Sequence, residues 1–267
     1  MSRDTSIDNL RRVQGRLTVA LIMVPRESFL TCTPEDTARD VAGGNPDKFS
    51  YLPVVDDRGQ VIGLYNASRW FNSVAPHTRI GEDFQRLSEE IVIGADASIF
   101  DFIQQADTHA TNLVISGNRV AGLVSLFDVQ KLPVRAALFA LVTSFEMTMA
   151  LTIERHWPNP EDWMAHLSEG RRTMLDKQIA KARKVDSFVS KIAFTQFADK
   201  ADLVRRTGLL SGSANKQEGA LKEIEALRND LAHANSYADT PEEARKVCQI
   251  VRNIHSLREQ LIAAGES

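Results

Sequence analysis

The hydrophobic and polar positions follow different patterns in the two halves of the chain. Up to about residue 133, short apolar runs alternate with turn residues, as in Leu52–Val55 followed by Asp57-Arg58-Gly59. After Pro133 glycines are sparse, and apolar residues recur every three or four positions, which is the spacing of one face of a helix. The pattern therefore predicts strands with short helices in the first half and helices alone in the second.

The first half contains two copies of one unit, at about residues 17–75 and 80–132. Each copy has a candidate helix start followed by two apolar runs around a tight turn. These segments are Thr33-Pro34-Glu35-Asp36, 51–55 and 61–65 in the first copy, and Asp96-Ala97-Ser98-Ile99, 111–115 and 120–124 in the second. We therefore predict the order short strand, helix, strand, strand, helix, twice over.

This order resembles the CBS-domain family over nearly all of residues 17–133. The matching residues are Val19–Met23 with Val24-Pro25, the string Leu52–Asp56, and the glycine in the closing strand of each copy. The resemblance implies a tandem pair that binds adenine nucleotides or related ligands in a cleft, commonly through a Gly-x-x-Thr/Ser-x-x-Asp segment.

The second copy has this segment as Gly122, Ser125 and Asp128. A hydroxyl can donate to a phosphate or ribose oxygen, and a carboxylate can accept from ribose hydroxyls. The candidate ligand-binding residues are Gly122, Ser125 and Asp128, with Thr111 and Asn112 on the preceding strand. Two alternatives stay open: Asp128 caps the start of a helix, or the pair binds no ligand.

The first copy departs from the pattern. It has Gly63, Asn66 and Arg69 at the corresponding positions, so it lacks the carboxylate for ribose. We therefore expect one ligand site, in the second copy, with an adenine nucleotide as the regulatory ligand.

The second half, residues 134–267, predicts a bundle of five helices with short links. A first helix buries Val134, Leu138, Leu141, Phe145, Met149 and Ile153, and the others span about residues 161–185, 187–206, 215–235 and 241–263. The fourth has Leu221, Ile224, Leu227 and Leu231 as its buried stripe. Residues 1–16 are predicted to be a polar N-terminal arm. The predicted fold class of the chain is an α+β pair followed by an all-α bundle.

The fourth helix ends in Arg228-Asn229-Asp230-Leu231-Ala232-His233. This motif looks like the signature of the HEPN family, helical-bundle proteins that include metal-independent ribonucleases acting as toxins and defence effectors. An arginine followed by a histidine at this spacing is common by chance, so the asparagine directly after the arginine makes the match specific. The candidate catalytic residues are Arg228, Asn229 and His233.

The residue types suit RNA cleavage by the substrate's own 2′-hydroxyl. Histidine can act as acid or base near neutral pH, Arg228 can hold phosphate oxygens, and Asn229 can orient either group. This chemistry needs no metal, and we expect none. On a helix Arg228 and His233 point about 140° apart, so a homodimer that places two motifs side by side across a twofold axis suits the chemistry better.

Two readings of the whole chain remain. One is a ligand-regulated endoribonuclease that acts as a toxin or defence effector on RNA. The other is a non-catalytic nucleotide-sensing scaffold or regulatory subunit whose bundle mediates dimerisation or partner docking. In that case Arg228 pairs with Glu225, and His233 closes the helix end, where a histidine cation complements the dipole.

Composition adds three points. The formal net charge is −3, but the segment 166–191 is locally basic, with Arg171, Arg172, Lys177, Lys181, Arg183, Lys184 and Lys191. This stripe can attract phosphates or be a solvated helix face. The apolar run 134–153 is interrupted by Arg135 and Glu146, so we expect a buried helix and no membrane partner. Two distant cysteines and a polar start favour a reduced, cytoplasmic protein.

Overall fold

The computed structural model describes residues 15–71, 75–184 and 190–264. These divide into two compact units, one ending at Val134 and the other beginning at Arg135. The predicted N-terminal arm lies outside the described residues, apart from positions 15 and 16. The predicted helix boundaries at residues 185 and 187 lie outside them as well.

The described residues of the first unit form two small sheets. One has the order β1-β7-β6-β5 and the other the order β2-β3-β4. The strands are β1 Val24–Pro25, β2 Tyr51–Val55, β3 Val61–Asn66, β4 Gln85–Arg86, β5 Val92–Gly94, β6 Thr111–Ser116 and β7 Arg119–Ser125. All pair antiparallel except β5 and β6, which are parallel.

Each predicted strand-turn-strand segment is a hairpin, β2–β3 in the first copy and β6–β7 in the second. The short strand near the start of each copy pairs with the hairpin of the other copy: β1 with β7, and β4 with β3. Glycine makes this possible, because a Cβ on Gly122 would lie 2.5 Å from the Val24 carbonyl oxygen and one on Gly63 would lie 2.1 Å from that of Gln85. The two copies are thus joined by exchanged edge strands.

The helix starts agree with the prediction in one copy only. In the second copy α2, Ile99–Gln105, begins after Ser98 as predicted. In the first copy α1, Ala38–Gly43, begins after Thr37, whose side chain and that of Asp40 form a capping box. The prediction of a start at Thr33 was wrong, because the Asp36 carboxylate accepts from the Thr33 backbone N–H at 2.7 Å and closes a separate turn. The helix predicted to close each copy is a 3-10 turn, Ala67–Phe71 or Leu126–Gln130.

The cores of the two copies are continuous. Val61 and Leu64 from the first copy pack with Ile91, Leu113 and Val120 from the second, and all five are buried. Burial of apolar side chains from both copies makes the pair one folding unit.

The described residues of the second unit are helical. The helices are α3 Leu132–His156, whose first three residues belong to the first unit, α4 Pro160–Met164, α5 Glu169–Arg183, α6 Phe197–Arg206, α7 Ala214–Ala232 and α8 Pro241–Ala263. The predicted buried stripes of α3 and α7 are confirmed. Helix α8 begins at the predicted residue 241, after a capping box between Thr240 and Glu243.

The predicted second and third helices were too long. Asn159 caps α4, and Ser168 accepts from the Arg171 backbone N–H and starts α5 as a separate helix. Further along, a 3-10 turn at Lys191–Phe194 precedes α6, which opens with a capping box between Gln196 and Asp199. A polar side chain that satisfies the free N–H groups of a first turn begins a helix, even inside an apolar pattern.

Helix α3 is the one described helix that is long and apolar enough to cross a membrane, with a mean hydropathy of 1.7. Half of that apolar window is buried inside the protein. Its Glu146 pairs at 3.0 Å with Lys200 of α6, and Lys200 is 4% exposed. Glu146, which interrupts the apolar run, is therefore neutralised by an ion pair within the helical unit.

Candidate functional site

Four of the five candidate ligand residues lie together at the open end of the β6–β7 hairpin. Thr111 is paired across the ladder with Ser125, and Asn112 with Val124. Asp128 follows in the 3-10 turn after β7. Thr111, Asn112 and Asp128 are buried polar residues, at 5%, 6% and 6% exposure. The structure thus groups hydroxyl, amide and carboxylate groups at one edge of the second copy.

The Asp128 carboxylate is already engaged on both oxygens. Oδ2 accepts from the Ser125 backbone N–H at 2.5 Å and from its hydroxyl at 3.1 Å. Oδ1 pairs with Lys131 Nζ at 2.7 Å, and that ammonium also donates to the Ile22 carbonyl. Asp128 therefore caps the turn, and a ribose hydroxyl would have to share Oδ1 with Lys131 or displace it.

Gly122, the fifth candidate, has a role in strand packing. It lies on β7 opposite Pro25 of β1, and any side chain there would meet the β1 backbone. The close approach of β1 and β7 therefore accounts for the glycine in the Gly-x-x-Ser-x-x-Asp segment.

The corresponding end of the first copy has different chemistry. Asn66 accepts from the Ser68 backbone N–H at 3.1 Å, and Arg69 pairs with Asp83 at 2.6 Å. A guanidinium–carboxylate pair takes the place of the buried, capping carboxylate of the second copy.

The motif residues lie at the C-terminal end of α7, on the surface. Arg228 is partly exposed, and Asn229 and His233 are exposed. Arg228 Nη1 donates to Asn229 Oδ1 at 3.2 Å, so the amide holds the guanidinium from the side. His233 is the residue at which the helix ends, and its backbone N–H donates to the Asn229 carbonyl at 3.0 Å.

The turn after His233 has a left-handed residue. Ala234 has φ 55°, and the Asn235 backbone N–H donates to the Asp230 carbonyl at 2.9 Å. This bond back across the left-handed residue is a Schellman closure. The Asn235 side-chain amide also donates to Asp230 Oδ1, at 3.3 Å. His233 therefore projects from a tightly closed turn.

Arg135 of α3 binds the same helix end. Its Nη1 donates to the carbonyls of Asp230 at 3.1 Å and Leu231 at 3.3 Å, and its Nη2 donates to the Asn235 carbonyl. Carbonyls of a last helical turn have no partner within the helix and carry partial negative charge. One guanidinium thus satisfies three carbonyls that flank His233.

Tyr237 completes the support of this turn. The Arg135 guanidinium lies 4.8 Å from the centre of its ring. Burial raises the pKa of Tyr237 to about 12, and the nearby Arg135 charge opposes part of that rise. The phenol is therefore neutral at physiological pH.

A cavity of about 180 Å³ lies between α7 and α8 beside this turn. Three carboxylates line it, from Glu223, Asp230 and Glu243, together with one cation, Lys246. Phosphates are repelled by such a lining, so the cavity does not suit an RNA backbone.

Sequence reasoning missed Lys131, Arg135 and Tyr237. The spacing of Asp128 and Lys131, three residues apart, is a usable signal for an ion pair. Arg135 has no such signal, because its partners lie 95 to 100 residues away along the chain.

No family model matches this chain, and no curated protein matches it. Among solved structures, it is similar to the CBS domain of a bacterial CNNM/CorC family Mg2+ transporter in complex with ATP, at 16% identity and a TM-score of 0.39. That match covers 48% of this chain and 94% of the other.

Two further structures are similar over a comparable length. The CBS-pair protein CBSX2 from Arabidopsis thaliana has 17% identity and a TM-score of 0.38, and the match covers 45% of this chain and 94% of that one. CBS domains of a transcriptional regulator from Streptococcus pneumoniae have 21% identity and a TM-score of 0.36, with coverage of 42% and 95%. Each of the three matches thus spans less than half of this chain.

Proposed function

We propose that this protein is a ligand-regulated, metal-independent endoribonuclease, in which the first unit senses an adenine nucleotide and the second cleaves RNA. The observation that carries the proposal is the helix end that holds Arg228, Asn229 and His233. All three are at least partly exposed, and their turn is held by the Schellman closure and by Arg135. Preorganised groups at a surface where substrate can approach are what such catalysis requires.

The proposed reaction is an attack by the RNA 2′-oxygen on the adjacent phosphorus. The new P–O2′ bond forms as the P–O5′ bond breaks. One imidazole accepts the 2′-hydroxyl proton, or donates a proton to the leaving 5′-oxygen, and Arg228 neutralises the pentavalent phosphate. The Arg228–Asn229 hydrogen bond supports a positioning role for Asn229.

We further propose that the active form is a homodimer. On α7 Arg228 and His233 point about 140° apart, so one copy does not readily present both to one phosphate, whereas two motifs across a twofold axis place the arginine of one copy beside the histidine of the other. Because the motif resembles that of toxin and defence ribonucleases, we also propose that the protein is a toxin or defence effector that cleaves RNA in the cytoplasm.

The sensor half of the proposal rests on the repeated topology and on the grouped polar residues at Asp128. An adenine nucleotide is the ligand that the resemblance to CBS pairs implies. Since Asp128 Oδ1 is paired with Lys131, the nucleotide ribose would compete with that ammonium. Ligand binding would thereby change the chain directly before α3, which begins at Leu132.

The test is cleavage of a labelled single-stranded RNA by purified protein in excess EDTA. We expect cleavage by the wild type and its loss, by a factor of about 10² or more, in His233→Ala. His166→Ala is the matched control, since His166 is also an exposed histidine of the helical unit, and it should cleave at the wild-type rate. Cleavage that persists in His233→Ala would contradict the proposal.

One observation favours the scaffold alternative. The His233 backbone and the Asn235 side chain close the end of α7, which is a structural reason for polar residues there. If wild type and Arg228→Ala are equally inert towards RNA while AMP raises the melting temperature of both, the protein is a nucleotide-sensing scaffold.

A further inference from the structure

The basic segment singled out in the sequence separates into two groups in the structure. Arg171 binds Asp199 through two hydrogen bonds, which raise the pKa of its guanidinium further. Lys191 pairs with Glu161 at 2.7 Å. These two cations fix α5 and the following turn to their neighbours.

The other five cations are Arg172, Lys177, Lys181, Arg183 and Lys184. All five are exposed, and none pairs with a carboxylate among residues 15–71, 75–184 and 190–264. Asp176 is the single carboxylate between residues 170 and 184. This segment therefore keeps a net positive charge that its own helix does not neutralise.

Three of the five cations share one side of α5. Leu175 and Ile179 are the buried residues of the helix. At about 100° per residue, Lys177, Lys181 and Lys184 point to the side opposite that buried pair, and we name these three the basic face of α5. Successive lysines are separated by about 6 Å and about 4.5 Å along the axis, so the three charges form a row that can follow the backbone of a single strand.

We propose that the basic face of α5 is the surface on which single-stranded RNA docks, with Lys177, Lys181 and Lys184 each facing a backbone phosphate. The proposal rests on the proposed ribonuclease function and names where its substrate is held. A membrane surface is the less suitable partner, because interfacial helices insert large apolar side chains. On α5 the exposed large hydrophobic residue is Met174, at 41%.

The experiment measures RNA binding against salt concentration. A 5′-labelled 20-nucleotide single-stranded RNA is titrated by fluorescence anisotropy, in a His233→Ala background so that it is not cleaved. Removing three phosphate contacts lowers the slope of log K against log salt by about 2. We expect this for Lys177→Gln/Lys181→Gln/Lys184→Gln, so that the parent loses about 20-fold more affinity than the triple variant between 50 and 200 mM salt.

The matched control removes the same charge elsewhere in the unit. Lys191, Lys222 and Lys246 each pair with a glutamate, and Lys191→Gln/Lys222→Gln/Lys246→Gln should keep the parent slope. Equal slopes for the two triple variants would overturn the proposal. So would an unchanged RNA affinity with loss of binding to vesicles of phosphatidylserine and phosphatidylcholine, which would identify a lipid surface. Far-UV circular dichroism of both variants verifies the fold.

The outcome is separable from that of the ribonuclease proposal. RNA binding that depends on the three α5 lysines, without cleavage by the wild-type protein, retains the docking surface and rejects the enzyme. Cleavage by the wild type with no effect of the lysines on binding retains the enzyme and rejects the surface.

Discussion

Ala234 is the left-handed residue of the turn that closes α7 after His233. It is a non-glycine residue with φ 55°, a region that costs an L-residue roughly 1 kcal/mol. Glycine removes that cost, although its greater freedom in the unfolded chain offsets part of the gain.

We therefore expect Ala234→Gly to raise the free energy of unfolding by about 0.5 kcal/mol. Urea unfolding monitored by circular dichroism measures this. Ala232→Gly is the control, since Ala232 is the last residue of α7, and it should destabilise. A loss of stability in Ala234→Gly comparable with that control would show that the left-handed turn is not formed.

Tyr237 makes stability depend on alkaline pH. Burial raises its pKa to about 12, above the value of about 10 in an unfolded chain. The folded state therefore favours the neutral phenol. This contribution is complete below about pH 10 and is lost as the pH rises towards 12.

The comparison is urea unfolding of wild type and Tyr237→Phe between pH 8 and pH 11.5. Burial also raises the pKa of Cys32 from 9.0 to about 12, so both proteins should lose stability over this range. The wild type should lose it more steeply above pH 10. Parallel curves would contradict a buried Tyr237.

At the scale of elements, the C-terminal end of α7 depends on α3. Arg135 donates to three carbonyls around His233 and lies over the Tyr237 ring. A lysine ammonium is a compact charge that cannot reproduce the planar fork.

Arg135→Lys should therefore lower the free energy of unfolding by about 1 to 2 kcal/mol and speed hydrogen exchange at the Asn235 amide. Arg245→Lys is the control, because Arg245 makes an exposed pair with Glu242 at 3.6 Å, and it should change stability little. Unaltered exchange at Asn235 in Arg135→Lys would contradict the role of Arg135.

The elements also show what a single sequence can predict. The stripes of α3 and α7, the hairpins and the starts of α2 and α8 were predicted, because each depends on residues a few positions apart. The break at Ser168 was missed because the prediction joined two apolar stretches across residues 168–173, which contain no apolar residue to continue the pattern. No local pattern predicts that β1 and β4 pair with the hairpin of the other copy, or that Arg135 binds the end of α7. Both depend on residues far apart in the chain.

The candidate site divides in the same way. Its residue types and spacing could be read from the sequence. The spacing of Asp128 and Lys131 was a signal for their ion pair that the prediction did not use. The Schellman closure after His233 depends on the backbone path, and no residue type at Ala234 or Asn235 indicates it.

At the scale of the whole molecule, Asp128 and the helix end that holds the motif are joined by a short covalent path. Asp128 binds Lys131, α3 begins at Leu132, and Arg135 in its first turn holds the α7 end. A change at Asp128 thus has only seven residues of chain to cross before it reaches a residue that positions His233.

A ligand that binds the folded protein raises its melting temperature. We expect AMP to do so for the wild type and for Asp57→Asn, an exposed carboxylate in the turn of the first copy. It should have little effect on Asp128→Asn, which retains no carboxylate for ribose. Differential scanning fluorimetry over a range of AMP concentrations gives the comparison, and an equal shift in all three proteins would place the ligand elsewhere.

The central claim is that Arg228 and His233 cleave RNA in a site shared between two copies of the chain. The most direct test is cleavage of single-stranded RNA in EDTA by Arg228→Ala, by His233→Ala, and by the two variants co-expressed. Each alone should be inactive, and co-expression should restore a substantial fraction of the wild-type rate, because a mixed dimer has one intact arginine facing one intact histidine. A mixture as inactive as either variant, or a wild type that does not cleave RNA, would contradict the claim.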